Sequence, residues 1–134
     1  MSLKNKRILL TGGAGFIGST LVSRLYKDNE ILVYDNFSRD SLTYKNLKSK
    51  NITIVKGDVL DLNHLTKTVE DFRPQMAVHL ASIAGVDTVM KNPVKTLEVI
   101  LIGTFNFLNS LKKYSGDLER VMDFSTSEVL GSYA

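Results

Sequence analysis

An apolar run that leads directly into a cluster of glycines constrains the fold of this chain more than any other feature. Residues 8–10 are Ile-Leu-Leu, and the stretch after Thr11 carries four closely spaced glycines: Gly12, Gly13, Gly15 and Gly18. This order predicts a buried strand, a tight turn and the N-terminus of a helix. The first glycines permit the sharp turn, and Gly18 permits close packing of the helix on its strand.

A glycine turn in this position is typical of dinucleotide binding. The free N–H groups at the start of the following helix attract a pyrophosphate, and the missing side chains let it approach the backbone. The next apolar run, residues 31–34, ends in Asp35, which lies 20 positions after Gly15. A carboxylate at the end of a second parallel strand accepts hydrogen bonds from a ribose and repels a 2′-phosphate. The pattern therefore favours NAD over NADP.

Other interpretations of the glycine turn are weaker. A P-loop is excluded because no Gly-Lys-Ser/Thr follows the glycines. A glycine turn without a ligand and a methyltransferase remain alternatives. Arg39 stands close enough behind Asp35 to neutralise a phosphate, but its setting in Asn36-Phe37-Ser38-Arg39 favours a solvated loop cation.

Composition excludes several classes of protein. The 134 residues are 43% hydrophobic, which suits one domain, and the lack of cysteine excludes disulfides, cysteine zinc sites and a thiol nucleophile. Two histidines 15 positions apart predict no metal site, and a net charge of +3 with scattered lysines and arginines predicts no nucleic-acid binding. Without a run of about 18 apolar residues or a signal peptide, we expect no membrane span and a cytoplasmic location.

Apolar runs alternate with helical patterns along the whole chain, which predicts βαβ units and a parallel sheet. The predicted strands cover residues 6–11, 30–35, 52–55, 76–81 and 119–125. The predicted helices cover 16–28, 41–49 with Ser41 as its cap, 62–72 and 93–114, and a loop with Gly85 precedes Pro93. The last helix is expected to face inward with these residues: Val94, Leu97, Leu101, Phe105, Leu108 and Leu111.

Right-handed crossovers then arrange the strands in the order 3-2-1-4-5 of a doubly wound α/β (Rossmann) sheet. The order reverses between strands one and four. We therefore expect a ligand over the carboxyl ends of those strands, in contact with the glycine turn and the segment after Ala81.

Taken together, these segments resemble the extended short-chain dehydrogenase/reductase family, in particular its nucleotide-sugar epimerases, dehydratases and decarboxylases. Thr11-Gly-Gly-Ala-Gly-Phe-Ile-Gly-Ser19 matches the family's opening. Further matches follow in the family's order: Asp35-Asn36-Phe37, Gly57-Asp58-Val59, His79-Leu80-Ala81-Ser82, Asn92-Pro93, Gly103-Thr104-Phe105-Asn106 and Ser125-Thr126-Ser127-Glu128-Val129-x-Gly131. The combination is most similar to UDP-glucuronate decarboxylase-like members.

The resemblance implies that residues 1–134 are an NAD-binding Rossmann domain with specific contacts. It assigns the pyrophosphate to Gly12, Gly15, Phe16 and Ile17, and the ribose to Asp35 and Asn36. It assigns adenine recognition to the Asp58 side chain and the Val59 backbone, and the nicotinamide half to Leu80, Ala81 and Ser82. Asp58 also fits an ordinary turn residue after Gly57, and His79 is interpreted as a structural strand-end histidine.

The family's chemistry is transient oxidation of a sugar carbon by NAD, with a tyrosine as base and a lysine that lowers the phenol pKa. Thr126 matches the Ser/Thr that bonds the reacting sugar oxygen, and Glu128 matches the acid of dehydratases and decarboxylases. The family's Tyr-x-x-x-Lys lies beyond residue 134. The formal match at Tyr44 and Lys48 is rejected because it falls on the adenosine side of the cofactor.

The resemblance therefore predicts the NAD-binding portion of a nucleotide-sugar epimerase, dehydratase or decarboxylase, with the Rossmann domain truncated after strand five. The alternative is a non-catalytic NAD-binding module or an inactive fragment, since Ile100, Leu130 and Val89 replace polar residues of the family. We expect no sugar-nucleotide turnover by these 134 residues alone. The expected partners are NAD, a nucleotide sugar in an intact parent enzyme, and a second copy of the chain. The second copy is expected to join either through the long helix at 93–114 or by pairing at the edge of strand five.

Overall fold

A computed structural model describes residues 3–125, in which five parallel strands form one sheet flanked by helices. The strands are β1 (Arg7–Thr11), β2 (Glu30–Asp35), β3 (Ile52–Lys56), β4 (Met76–His79) and β5 (Arg120–Asp123). The helices are α1 (Phe16–Leu25), α2 (Leu62–Phe72), α3 (Val86–Lys91) and α4 (Pro93–Lys112), with single 3-10 turns at Thr43–Lys45 and Ser115–Asp117.

The strand order is β3-β2-β1-β4-β5, as predicted. β1 pairs with β2 on one side, with Leu10 opposite Val33, and with β4 on the other, with Leu10 opposite Val78. The order of the chain reverses between β1 and β4. The expected ligand crevice therefore lies over the carboxyl ends of these two strands.

Apolar side chains pack on both faces of the sheet because successive residues of a strand point to opposite sides. On one face, Ile8 and Leu10 pack with Val22 of α1. On the other, Leu9 packs with side chains of α2 and α4. Burial on both sides explains why β1 and β2 are almost continuously apolar in sequence.

Two predictions for the connecting segments were wrong. The helix predicted over 41–49 is only the turn Thr43–Lys45, because Asn46 takes a left-handed conformation (φ 45°). The predicted cap Ser41 is not used, and Asp40 instead accepts the Leu42 and Thr43 N–H groups. The loop predicted before Pro93 contains α3, which is too short to show a periodic pattern. Elsewhere boundaries moved by up to three residues: α1 ends at Leu25 and β4 at His79.

Helix α4 was predicted in nearly the right place but with the wrong face inward. Leu111 is buried, but the rest of the expected inward stripe is at least half exposed: Val94, Leu97, Leu101, Phe105 and Leu108. The buried face instead carries Thr96, Gly103, Asn106, Phe107 and Ser110. Small and amide side chains face inward because α4 lies very close to the segment after β3.

Residues 3–125 also show features that concern membranes and metals. No helix in this range combines the length and the apolar character needed to cross a bilayer. The same range contains no group of three or more His, Cys, Asp or Glu side chains arranged to hold a metal ion.

Candidate functional site

The turn between β1 and α1 is built from contacts that only glycine allows. Gly12 has a φ of +71°, and a Cβ added there would lie 2.6 Å from the Ala81 nitrogen. A Cβ on Gly18 would lie 2.5 Å from the Cα of Gly13. The turn is therefore packed between the segment after β4 and its own helix, and the close approach predicted at Gly18 is made to the turn itself.

The first turn of α1 presents its backbone to the crevice. Gly15 is the N-cap and has no side chain with which to cap the helix. The N–H groups of a first helical turn have no intrahelical acceptor and carry the positive end of the helix dipole. Phe16 is 83% exposed, so its side chain leaves this end of the helix open. Together these features form a cradle suited to an anionic diphosphate.

Asp35 joins the second strand to the glycine turn. One carboxylate oxygen accepts a hydrogen bond from the Ala14 N–H at 2.9 Å, and the other accepts one from the Phe37 N–H at 2.8 Å. The Ser41 N–H donates to the Ala14 carbonyl at 2.8 Å, so the β2–β3 connection holds Ala14 from both sides. Asp35 thus has a positioning role that the sequence analysis missed, in addition to its predicted place at the ribose position.

The residues after Asp35 reach across the crevice. Asn36 is exposed, and its side-chain oxygen accepts from the Ser38 N–H. Arg39 is exposed, as expected for a solvated cation. Its guanidinium nevertheless contacts another segment of the protein, since it donates to the Ala84 carbonyl at 2.6 Å. Ala84 belongs to the segment after β4, so Arg39 connects the two sides of the crevice.

Asp58 and Val59 follow β3 and lie in a turn that is held from several directions. One Asp58 oxygen accepts from the Leu60 N–H at 2.9 Å, which confirms its role as a turn residue. The other oxygen has no hydrogen-bond partner within residues 3–125 and can accept from an adenine amino group. Asn106 of α4 donates to the Val59 carbonyl at 3.0 Å, and Gly103 lets α4 approach the Val59 side chain.

Tyr34 supports the same turn from inside the sheet, which the sequence analysis also missed. Its buried hydroxyl donates to the Asp58 carbonyl at 3.0 Å, and its ring lies where a Cβ on Gly57 would be. Burial, with Asp61 and Asp58 adding negative charge nearby, raises the pKa of Tyr34 to about 12. The phenol therefore stays protonated and acts as a donor.

The segment after β4 forms the other wall of the crevice. Leu80 continues the pairing with β1 through its N–H, which donates to the Thr11 carbonyl at 2.9 Å. Ala81 backs onto Gly12, and Ser82 is exposed. The predicted pyrophosphate, ribose and nicotinamide-side residues therefore meet at one edge of the sheet, around the ends of β1, β2 and β4.

His79 ends β4 and is buried beneath this wall. Its Nδ1 lies 2.6 Å from the Thr11 hydroxyl, and its ring stacks on Phe107 with ring centroids 4.7 Å apart. Burial lowers the pKa of His79, while Asp123 on the neighbouring strand acts in the opposite direction. The ring is therefore neutral at pH 7. Within the described range its Nε2 has no hydrogen-bond partner, so only one of the two ring nitrogens is satisfied.

The predicted catalytic residues Thr126 and Glu128 lie outside the described residues, as does Leu130. Ile100 is partly exposed on α4, and Val89 lies on α3. Tyr44 is 89% exposed in the turn between β2 and β3. The left-handed Asn46 prevents the single helical turn that would bring Lys48 back over Tyr44, which supports its rejection as a catalytic pair.

Comparison with known proteins settles the family. A family model described as GDP-mannose 4,6 dehydratase matches residues 9–134. The chain belongs to the extended short-chain dehydrogenase/reductase family. Its family relatives include the UDP-N-acetyl-alpha-D-glucosaminuronate decarboxylase of Bacillus cytotoxicus, 37% identical over 94% of this chain and 38% of the relative. UDP-glucuronic acid decarboxylase 6 of Arabidopsis thaliana is 39% identical over 95% of this chain and 35% of the relative.

Solved structures of the family have the same fold. The epimerase Mth375 of Methanothermobacter thermautotrophicus superposes with a TM-score of 0.84 at 31% identity, covering 93% of this chain and 36% of the epimerase. The UDP-glucose 4-epimerase of Brucella ovis, solved in complex with NAD, gives a TM-score of 0.81 at 28% identity, covering 94% and 37%. The chain thus spans a little over a third of the length of these relatives.

Proposed function

We propose that this chain binds NAD and is the NAD-binding portion of a nucleotide-sugar epimerase, dehydratase or decarboxylase. One observation carries the proposal: the glycine turn, open at the start of α1, is hydrogen-bonded through Ala14 to Asp35 at the end of β2. This pairing supports a diphosphate site at the glycine turn with a ribose acceptor beside it. Two solved relatives, the UDP-glucose 4-epimerase of Brucella ovis and the Bordetella bronchiseptica enzyme WbmG, were each solved in complex with NAD.

Each part of the crevice would contact a different part of the dinucleotide. The Phe16 and Ile17 amides would receive the diphosphate, Asp35 and Asn36 the adenosine ribose, and Asp58 with Val59 the adenine. Leu80, Ala81 and Ser82 would line the nicotinamide half. When bound, NAD supplies a hydride acceptor for oxidation of a sugar carbon. The described residues bind and orient it.

The reacting groups remain proposals from the family resemblance. Thr126 would hydrogen-bond the reacting sugar oxygen, and Glu128 would orient or protonate a substrate group in the intact enzyme. WbmG has been solved with both NAD and UDP, which supports a nucleotide-sugar substrate for the complete protein. Three expectations from the sequence stay predictions: an NAD-binding domain that spans residues 1–134, a cytoplasmic location, and no binding of nucleic acid.

Calorimetric titration of the 134-residue chain tests the proposal. We expect saturable binding of NAD with one site per chain, and weaker binding of NADP because its 2′-phosphate would face the Asp35 carboxylate. ADP-ribose is the control ligand, since it keeps the adenosine and diphosphate that the cradle contacts. Binding of NADP as tight as NAD would contradict the Asp35 assignment, and no binding of any of the three would refute the proposal.

We also propose that the chain self-associates through the outer face of α4. Val94, Leu97, Leu101 and Phe105 are each more than half exposed there and form a continuous apolar stripe. Contiguous apolar patches of this kind are uncommon on soluble monomers. Light scattering between micromolar and millimolar concentrations should show a dimer that Leu101→Glu abolishes. A monomer at every concentration would refute this part of the proposal.

A further inference from the structure

We propose that Arg39 contacts the diphosphate of the bound dinucleotide and fixes it over the glycine turn. This inference rests on the proposed function, because it concerns the same crevice. It assigns Arg39 a positioning role that differs from both interpretations open to the sequence, a solvated loop cation and a ligand of a 2′-phosphate.

The loop that carries Arg39 is attached to the glycine turn. Asp35 accepts from the Ala14 N–H at the start of the loop, and the Ser41 N–H donates to the Ala14 carbonyl at its end. Phe37 takes a left-handed conformation (φ 60°), stabilised by its own N–H bond to Asp35. The loop is therefore an arch whose two feet are bonded to one residue of the glycine turn, with Arg39 between them.

The Arg39 side chain extends from this arch toward the opposite wall of the crevice. One terminal nitrogen donates to the Ala84 carbonyl at 2.6 Å and lies 3.4 Å from the Thr88 hydroxyl. The same wall backs onto the glycine turn, since Ala81 lies against Gly12. The arch and this wall, which the Arg39 side chain connects, thus both contact the glycine turn that leads into α1.

The charge of Arg39 is not neutralised by the groups that it contacts. Both of its acceptors within residues 3–125, the Ala84 carbonyl and the Thr88 hydroxyl, are neutral. By contrast, Lys6 pairs with Glu119 at 2.6 Å and Arg7 lies 3.7 Å from Asp117. An arginine whose hydrogen-bond partners are neutral is stabilised by binding an anion. Its guanidinium forms paired hydrogen bonds with phosphate oxygens, and these are stronger than hydrogen bonds to neutral acceptors.

The glycine turn itself carries no cation, and Lys45 bonds the Thr20 hydroxyl of α1 at 3.0 Å, one turn beyond the start of that helix. Residues 11–19 contain no charged side chain, so their backbone supplies only the partial charge of the helix terminus. A diphosphate carries two negative charges. The Arg39 guanidinium is the full positive charge that the arch brings to this part of the crevice.

A series of ligands that differ in phosphate groups tests the role of Arg39. Binding of adenosine, ADP, NAD and NADP is measured by calorimetry for the wild type, Arg39→Gln, Arg39→Lys and the control Arg24→Gln. Arg24 is an exposed arginine in the last turn of α1, at the other end of that helix. Thermal melts verify that each variant folds.

We expect Arg39→Gln to weaken the binding of NAD and of ADP by the same factor, about tenfold, because a charge-assisted contact to the diphosphate is lost. In Arg39→Gln, the affinity for adenosine and the ratio of NAD to NADP affinity should not change. Arg39→Lys should lose about half as much NAD affinity, on a logarithmic scale, as Arg39→Gln. Arg24→Gln should bind all four ligands as the wild type does. The loss should shrink in high salt.

Three results would overturn the inference while leaving NAD binding intact. An equal loss for adenosine would mean that Arg39 only ties the two walls together. A loss confined to NADP would place the guanidinium at the 2′-phosphate, and unchanged binding of all ligands would make it a surface cation. If the wild type fails to bind NAD, the proposed function itself fails, and the inference fails with it.

Discussion

Two helices of this protein approach a neighbouring segment through a glycine, and the two contacts differ in what they can tolerate. Gly18 of α1 meets backbone: an added Cβ would lie 2.5 Å from the Gly13 Cα and 2.6 Å from the Gly12 carbonyl oxygen. Gly103 of α4 meets a side chain, with the Cγ2 of Val59 at 2.8 Å. A side chain can rotate or shift, whereas the backbone of a tight turn cannot without disturbing its hydrogen bonds.

The comparison shows where the fold is rigid and where it can adapt. The glycine turn is locked by backbone contacts and by Asp35, so small changes there should affect both stability and ligand binding. The contact between α4 and the turn after β3 depends on Val59 and on hydrogen bonds from Asn106. Substitutions at that contact should therefore lower stability less than substitutions in the glycine turn.

The largest effect is expected for Gly18→Ala. The substitution gains helix propensity, but the new methyl group cannot fit against backbone, so we expect a loss of about 3 kcal/mol in unfolding free energy. Denaturant unfolding measures it, and NAD binding should weaken in the folded fraction. A loss below about 1 kcal/mol would show that the turn is less rigid than its contacts indicate.

Asp35→Ala should have the next largest effect. It removes the acceptor of the Ala14 and Phe37 N–H groups, so we expect about 2 kcal/mol lower stability together with much weaker NAD binding. The control is Asp71→Ala, which removes an exposed carboxylate that pairs with Lys67 on the surface of α2. Reduced discrimination against NADP at full stability would mean that Asp35 contacts ribose alone.

Tyr34→Phe should have a smaller effect that depends on pH. The ring still fills the space beside Gly57, and loss of the hydrogen bond to the Asp58 carbonyl should cost about 1 kcal/mol at pH 7. Because the folded pKa of Tyr34 is about 12 against an ordinary value of 10.0, its contribution is complete below pH 10 and is lost as pH rises toward 12. Chemical unfolding at pH 7 to 12 should therefore show the stability of the wild type falling relative to that of the variant above pH 10. Parallel curves at all pH values would contradict this assignment.

The smallest effect is expected for Gly103→Ala, the matched partner of Gly18→Ala. The gain in helix propensity, about 1 kcal/mol, should offset the shift of the Val59 side chain. We expect a net change within about 0.5 kcal/mol in the same unfolding experiment. A loss equal to that of Gly18→Ala would remove the distinction between rigid and adaptable contacts.

The sequence by itself determined the parts of this protein that depend on neighbouring residues. The glycine spacing, the position of Asp35 and the alternation of strands and helices predicted the turn, the strand order β3-β2-β1-β4-β5 and the crevice between β1 and β4. These features were predictable because backbone geometry and right-handed crossovers leave few alternatives.

Only the tertiary structure decided which surfaces meet. Apolar periodicity located α4, but the contact of Gly103 with Val59, 44 positions earlier, turned the apolar stripe outward. The direction of Arg39 likewise depends on the Ala84 carbonyl, 45 positions later. A local sequence pattern indicates that a helix has an apolar face or that a loop carries a charge. Which partner it meets is determined by contacts between distant segments, and these form only when the sheet brings the segments together.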